Sequence, residues 1–317
     1  MDSSRPRRYN PGAMRLFSRL VVASWAVAAA LAAGPQAKLR ILTTVLPLRE
    51  FASSVVGDRG EADLLLPAGA GVHNWQPRPG DIVRLADCDL LLFIGSGLEP
   101  WLPGLLRAMP PGRPRTLETA ADLATLELGE DHGEGPGHGH EGLDPHVWLD
   151  FELDARMVVR IADELGRIDP AGKEIFAANA DRLADRLRAL DAKYREGLAG
   201  CARRDLVLAG HSAFGYLARR YGLAQKALYG LSPDSQPRPK DVMAAVDFCR
   251  EAGIRTVFFE NSVPPDLSRT LAREIGGRVL VLHAGHNLTR EQLDKGVGFF
   301  ELMEENLASL RSGLGCR

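Results

Sequence analysis

Six short apolar runs, each followed by a stretch with helical periodicity, constrain the fold of this 317-residue chain more than any other feature. Three runs lie in the first third of the chain and three in the last. Continuous apolar runs of this length are typical of parallel strands buried on both faces of a sheet. Strands that alternate with helices predict open α/β sheets. We therefore predict an α/β fold of two lobes with mostly parallel sheets, with strands within residues 39–46, 62–67, 89–95, 205–210, 255–260 and 278–283.

A long helical stretch separates the two sets of runs. Asp169 suits an N-cap position and Pro170 suits the first helical position. Apolar residues then recur at helical spacing, at Ile175, Phe176, Ala180, Leu183, Leu187, Leu190, Tyr194 and Leu198. About 29 helical residues would form a rod of roughly 43 Å, long enough to contact both lobes. We predict a first lobe at 34–168, a stiff linking helix at 169–199 and a second lobe at 200–317.

The N-terminus has the features of a secretory signal peptide. Five arginines precede an apolar run from Leu20 to Gly34, which ends in small residues. The run is shorter than the ~20 residues that a transmembrane helix needs. We predict that residues 1–33 are removed on export, with Met14 as an alternative start. No cysteine stands near the cleavage region, so we expect no lipid anchor.

Export permits disulfides, and the chain has four cysteines, which allow three complete pairings. Cys88 lies within a strand-like run, where we predict a buried thiol. Cys316, near the C-terminus, is placed to hold the last helix, with Cys201 or Cys249 as its partner. Of the two, we favour Cys201.

Four of the eight histidines fall near the ends of predicted strands or at the start of a helix. His211 directly follows a predicted strand, and His283 ends another. His73 lies on a loop after a strand, and His146 lies on a turn that leads into a helix. In open α/β sheets, ligands bind beyond the carboxyl ends of the strands. Three or four neutral imidazoles suit tetrahedral zinc, so the pattern predicts a metal site in the cleft between the lobes.

A second group of histidines lies in the glycine-rich and charged segment 128–142. The segment has no apolar periodicity, and its composition predicts an exposed loop with metal-binding side chains. We expect its His132, His138 and His140 to bind metal weakly or in transit, because such a loop has no fixed geometry. His286, three residues beyond His283, is a competing ligand for the main site.

Several sequence blocks resemble those of the zinc-binding periplasmic components of ABC importers, the ZnuA/TroA-like metal-binding proteins. In order along the chain, they are "GVHNWQPRPGDI", "GSGLEPWLPGLL", "DPHVWLD", "GHSAFGYLARRYGL", "LSPDSQPRPKDV", "TVFFENSVPPDLSRTLAREIGG" and "FFELMEENLASLR". The resemblance covers nearly all of the chain beyond the leader, and several blocks in one order are more specific than any single motif. It implies two α/β lobes joined by one long helix, with the metal held between them.

Carried over by position, the resemblance implies metal ligands at His73, His146, His211 and His283. Manganese-preferring relatives often have a glutamate at the third position, so a histidine there, together with a His-rich loop, is similar to the zinc-preferring branch. Nitrogen ligands also suit zinc better than manganese. Many relatives have an aspartate where this chain has His283. The fourth ligand therefore stays open between His283, His286, a carboxylate and water.

Three acidic residues are predicted to support the site. Asp144 and Asp150 flank the second ligand and are candidates to fix its ring by accepting a hydrogen bond. Asp150 is equally suited to the N-cap of a helix. Glu260 ends a predicted strand, and we expect it to hold the cleft by hydrogen bonds.

The resemblance implies a high-affinity carrier that captures Zn²⁺ in the periplasm and delivers it to an ABC-transporter membrane permease with its ATPase. Carriers of this shape usually work as monomers, and we expect one here. A manganese-binding protein of the same family is the nearest alternative.

Two other classes of function are not expected. A formal net charge of −2 offers no basic field for nucleic acid. A zinc hydrolase would need an open coordination position and a general base, for which Glu260 is the candidate. Neither an H-E-x-x-H nor a G-x-S-x-G pattern occurs in the sequence, so we do not expect an enzyme.

Overall fold

The computed structural model describes residues 37–123, 126, 143–228, 238–260 and 266–317. Within these residues the strands form two four-stranded sheets, and every strand pair is parallel. The prediction of two α/β lobes with mostly parallel sheets is confirmed. The predicted leader and the predicted His-rich loop at 128–142 lie outside the described residues.

The first lobe contains a sheet with the strand order β2-β1-β3-β4. Its elements are β1 (Leu39–Thr43), α1 (Leu46–Val56), a 3-10 turn (Gly57–Arg59), β2 (Gly60–Leu64), α2 (Pro79–Ala86), β3 (Leu90–Phe93), α3 (Leu102–Arg107) and β4 (Arg115–Glu118). Leu90, Leu91 and Leu92 are all fully buried. Successive residues of a strand point to opposite faces, so both faces of the sheet are covered at β3.

Two long helices that pack along one another follow the first sheet. They are α4 (Phe151–Ile168), which follows a 3-10 turn (Val147–Leu149), and α5 (Lys173–Ala199), which follows another (Pro170–Gly172). The predicted linking helix is present as α5, but it begins at Lys173. Asp169 instead caps the short 3-10 turn, where its side chain accepts a hydrogen bond from the backbone N–H of Gly172.

The apolar stripe of α5 faces the core, as the spacing predicts, with one exception. Ile175 is 47% exposed and does not belong to the stripe. The other seven predicted apolar positions of this helix are buried. The hydroxyl of one of them, Tyr194, donates a hydrogen bond to the carbonyl of Met303, which ties α5 to the C-terminal part of the chain.

The second lobe repeats the topology of the first, with the strand order β6-β5-β7-β8. Its elements are β5 (Asp205–Leu208), α6 (Gly215–Tyr221), β6 (Ala224–Ala227), α7 (Pro239–Glu251), β7 (Thr256–Glu260), α8 (Asp266–Glu274), β8 (Arg278–Leu282), α9 (Arg290–Asp294) and α10 (Phe299–Leu314). Leu208 pairs with Phe258, and Glu260 pairs with Leu282. The carboxyl ends of β5, β7 and β8 therefore lie side by side.

One apolar cluster runs through both lobes. It includes Leu91 of the first sheet, Leu187 of α5 and Leu208 of the second sheet. None of the helices in the described part of the chain combines the length and apolar character that a membrane crossing needs.

A disulfide joins Cys201 to Cys316, the pairing favoured above, across a sequence separation of 115 residues. Cys88 and Cys249 are free and buried. The bridge connects the segment before β5 to the end of α10, so it holds the C-terminal helix to the second lobe.

Candidate metal site

Three histidines from the two lobes converge on one point. His73 lies between β2 and α2, His146 directly precedes the 3-10 turn at Val147–Leu149, and His211 follows β5. One ring nitrogen of each lies within 4.8 Å of a ring nitrogen of the other two. The ring centroids are 5.3 to 5.7 Å apart. The sequence predicted that these three residues, together with His283, converge in the cleft between the lobes.

The three rings share an unusual property. Nε2 of His73, His146 and His211 is buried in each case and has no hydrogen-bond partner among the described residues. A buried polar atom without a partner costs about 1–3 kcal/mol. A divalent cation at the common point of the three rings would engage all three nitrogens at once, which gives this cluster the donor chemistry of a metal site.

Buried carboxylates hold two of the rings. Asp144 Oδ1 lies 2.8 Å from Nδ1 of His146 and also accepts the backbone N–H of His146 at 2.9 Å. Glu260 Oε2 lies 2.5 Å from Nδ1 of His211, because the pairing of β5 with β7 places the two strand ends together. A carboxylate on Nδ1 fixes the tautomer and leaves Nε2 free to bind a metal. Asp144 and Glu260 thus each lie against Nδ1 of one of the converging histidines.

His283 does not join the converging rings. Its Nε2 lies 3.1 Å from Oε2 of Glu305. Its backbone N–H donates to Oδ1 of Asn306 at 2.7 Å, and the amide of Asn306 donates back to its carbonyl at 2.8 Å. These bonds anchor the end of β8 to α10 at His283.

His286 lies closer to the cluster than His283. It is buried, and its Nδ1 is 3.8 Å from Oε1 of Glu260, the carboxylate that contacts His211. Burial lowers the pKa of His286 to about 4; Glu260 acts against this shift, while His211 and His146 add to it. The sequence indicated His286 as a competing ligand for the main site. In the structure its ring is close enough to the three converging rings to interact with them electrostatically.

Burial also keeps His73 neutral. Burial, together with the neighbouring His146, His211 and His286, lowers the pKa of this residue to about 2, against a smaller opposing effect of Glu260. A neutral imidazole is the form that ligates a metal. His73 therefore presents an unprotonated nitrogen at neutral pH.

Comparison with known proteins assigns the chain to a family. Residues 41–313 match the sequence model described as "ZnuA: Zinc-uptake complex component A periplasmic". The chain belongs to the ZnuA family.

Two relatives show how far the similarity to members of the ZnuA family extends. The chain is 33% identical to the high-affinity zinc uptake system protein ZnuA of Bacillus subtilis, over 87% of this chain and 88% of that protein. It is 35% identical to the zinc-binding lipoprotein AdcA of Streptococcus pneumoniae, over 86% of this chain but only 55% of the relative. The chain thus corresponds to nearly all of the first protein and about half of the second.

Solved structures of the ZnuA type share the fold. The Zn(II)-bound ZnuA-like domain of Streptococcus pneumoniae AdcA superposes with a TM-score of 0.73 at 32% identity, covering 88% of this chain and 99% of that chain. The laminin-binding protein Lmb of Streptococcus agalactiae, described as a bifunctional protein with adhesin and metal-transporting activity, gives a TM-score of 0.76 at 26% identity, covering 88% and 100%.

Asp150 does not hold a metal-site ring in this ZnuA-family chain. Its side chain accepts the backbone N–H groups of Glu152 and Leu153, at 3.1 and 3.4 Å, and so caps α4. It also pairs with Nη1 of Arg220 at 3.0 Å. Of the two roles that the sequence left open for Asp150, the structure displays the helix cap.

Some predicted residues cannot be placed, and one contributor was missed. His132, His138 and His140 lie outside the described residues. Asn306, which holds the backbone of His283, was not singled out from the sequence. The available signal was a polar residue on the buried stripe of a helix, since Leu302, Met303 and Leu310 surround it at helical spacing.

Proposed function

We propose that this chain is the zinc-binding component of an ABC importer, which captures Zn²⁺ between its two lobes. The observation that carries the proposal is the convergence of three imidazoles whose buried Nε2 atoms have no hydrogen-bond partner among the described residues. Zinc as the cargo is supported by the similarity to a high-affinity zinc uptake system protein and to a zinc-binding lipoprotein.

The proposed ligands are His73, His146 and His211, with His286 in the fourth position. His286 replaces His283 in this proposal because His283 is engaged with Glu305, while His286 is buried beside Glu260. Four imidazole nitrogens suit the tetrahedral preference of zinc.

The roles of the acidic residues favour zinc over manganese. Asp144 and Glu260 lie against the Nδ1 atoms of His146 and His211, so their oxygens support imidazoles. Manganese prefers oxygen donors, whereas imidazole suits zinc. Because these carboxylates contact the imidazole rings, the donor atoms that the site offers to the ion are mainly nitrogen.

The wider assignment follows from the same proposal. We assign residues 34–168 and 200–317 to the two lobes and 169–199 to their link, with residues 1–33 as a leader that directs the protein to the periplasm without a lipid anchor. The partner is an ABC-transporter permease with its ATPase, the carrier works as a monomer, and it has no catalytic role. His132, His138 and His140 would act as auxiliary metal-binding side chains.

A metal titration tests the proposal. The metal-stripped protein is titrated with zinc against a chromophoric chelator, with manganese as competitor, alongside the His146→Ala variant. We expect one tight zinc site that manganese displaces poorly and that His146→Ala weakens severely. A preference for manganese, or the absence of a tight site in the wild-type protein, would overturn the zinc-carrier assignment.

A further inference from the structure

A segment of the second lobe is fastened to the first lobe beside the metal site. This bridging segment, residues 284–288, connects β8 to α9 and includes His286. The backbone N–H of Leu46 donates to the carbonyl of His286 at 2.9 Å, and that of Gly69 donates to the carbonyl of Leu288 at 2.8 Å. Nε1 of Trp148 donates to the carbonyl of Ala284 at 2.7 Å.

Asn287 adds a further side-chain contact to this junction. Its Nδ2 donates to two carbonyls of the first lobe, those of Pro67 and Ala70, each at 2.8 Å. Its Oδ1 accepts the backbone N–H of Leu288 at 2.7 Å, which orients the amide group. Pro67 and Ala70 also close a turn on each other, since the N–H of Ala70 donates to the carbonyl of Pro67. One amide group thus binds both ends of a tight turn.

The position of that turn makes Asn287 relevant to zinc. Ala70 lies three residues before His73, and Asn287 directly follows His286. Accepting the proposed function, we infer that Asn287 is a positioning residue of the zinc site, whose amide sets the register between the loop that carries His73 and the segment that carries His286. It contacts neither ring and acts through the backbone that bears them.

The chemistry of the contact requires an amide of this length. Aspartate at this position would have no donor for Pro67 and Ala70, and it would place a charge against two carbonyl oxygens. Serine would be too short to reach both carbonyls, although it would add no charge. Ligands held from separate loops bind a metal well only if the loops keep a fixed spacing.

The test compares Asn287→Asp and Asn287→Ser with a matched control elsewhere in the protein. The control is Asn179→Asp in α5, because Nδ2 of Asn179 also donates to a backbone carbonyl, that of Val55, at 2.9 Å. Zinc affinity is measured by chelator competition, and thermal unfolding is measured on the metal-free proteins. We expect both variants of Asn287 to weaken zinc binding roughly 10- to 100-fold, the usual effect of losing a residue that orients a ligand.

The control separates a positioning role from a general loss of stability. Asn179→Asp removes the donor to the carbonyl of Val55, and its zinc affinity is expected to stay within about twofold of the wild type, since Asn179 lies on α5 and not on a loop that carries a ligand. Zinc affinity that is unchanged in both variants of Asn287, or lowered equally in Asn179→Asp, would overturn the inference.

A second comparison identifies the ligand through which Asn287 acts. In a His286→Ala background the register of the bridging segment no longer matters, so the effect of Asn287→Ser on zinc affinity should shrink markedly. An undiminished effect would overturn the inference. The outcomes are distinguishable from failure of the proposed function, which would appear as weak zinc binding by the wild-type protein itself.

Discussion

Oε2 of Glu260 lies 2.5 Å from Nδ1 of His211, and both side chains are buried. The two residues come from neighbouring strand ends that the parallel pairing of β5 and β7 brings together. Asp144 holds His146 in the same manner at 2.8 Å. Each lobe thus supplies an imidazole that a carboxylate orients, so that Nε2 of each ring faces the common point.

Because Glu260 contacts His211, a substitution of Glu260 is expected to weaken zinc binding more than a substitution of a carboxylate outside the site. Glu260→Gln retains the size of the side chain but removes the charge that stabilises the Nδ1 proton. We expect zinc affinity to fall roughly tenfold, measured by chelator competition. The matched control is Glu305→Gln, whose carboxylate contacts His283 instead. Equal losses in the two variants would contradict a specific role for Glu260.

The fourth ligand is tested by a pair of alanine substitutions. We expect His286→Ala to weaken zinc binding by more than the roughly 10- to 100-fold that loss of an orienting residue costs, because it removes a ligand. His283→Ala should leave the affinity close to that of the wild type, since its ring lies against Glu305. The reverse ranking in the same titration would place His283 in the site.

Asp154 predicts a stabilising substitution whose effect depends on pH. Both carboxyl oxygens are buried without a hydrogen-bond partner in the described part of the chain, and burial raises the pKa of Asp154 well above its usual range. Since the folded pKa exceeds that of the unfolded chain, which is about 3.9, the residue lowers stability increasingly as pH rises above that value. We expect Asp154→Asn to raise the unfolding temperature at pH 7, and the gain to fade as pH approaches 4.

The control for this prediction lies on the same helix. Asp163 is exposed on α4, so Asp163→Asn should change the unfolding temperature little at either pH. A gain for Asp154→Asn that is the same at pH 4 and pH 7 would argue against an ionisation penalty at this position.

Removal of the disulfide is expected to lower the stability of the protein without weakening zinc binding. Replacing both Cys201 and Cys316 by serine should lower the free energy of unfolding by roughly 4 to 5 kcal/mol in the chain-entropy model, given the long loop that the bridge closes. Chemical denaturation measures this difference. A reductant should destabilise the wild type and leave the double variant unaffected. Zinc affinity should persist, because Cys201 lies before the start of β5 whereas the proposed ligand His211 lies beyond its end.

The sequence was sufficient for the central strands and insufficient for two of the edge strands. β3 reads as an apolar run because both faces are covered. The edge strands β4 and β6, with the sequences "RTLE" and "AQKA", contain polar residues and are partly exposed, so no apolar run predicts them. The start of α5 differed from the prediction because Asp169 and Pro170 form a separate 3-10 turn first.

The site was predictable where strand ends determine it. His211 could be placed from the run before it, and the same reasoning placed His283 at the end of β8. It did not decide between His283 and His286 as the fourth ligand, because the path of the chain beyond β8 depends on tertiary contacts. Asn306 holds the backbone of His283, and Gly285 then takes a positive φ of 75°, which brings His286 back toward Glu260. Neither the hydrogen bond of Asn306 nor the backbone angle of Gly285 leaves a pattern in the local sequence that would favour one of the two histidines as the ligand.

Separating the two lobes would expose the apolar cluster that continues from one sheet through α5 to the other. The binding geometry therefore exists before the ion arrives, and capture requires little ordering of the chain, which favours affinity. The same preorganisation makes unloading unfavourable for the carrier alone. If the chain delivers zinc as proposed, its own fold sets the affinity, while the energy that distorts the site for release comes from contact with the membrane partner.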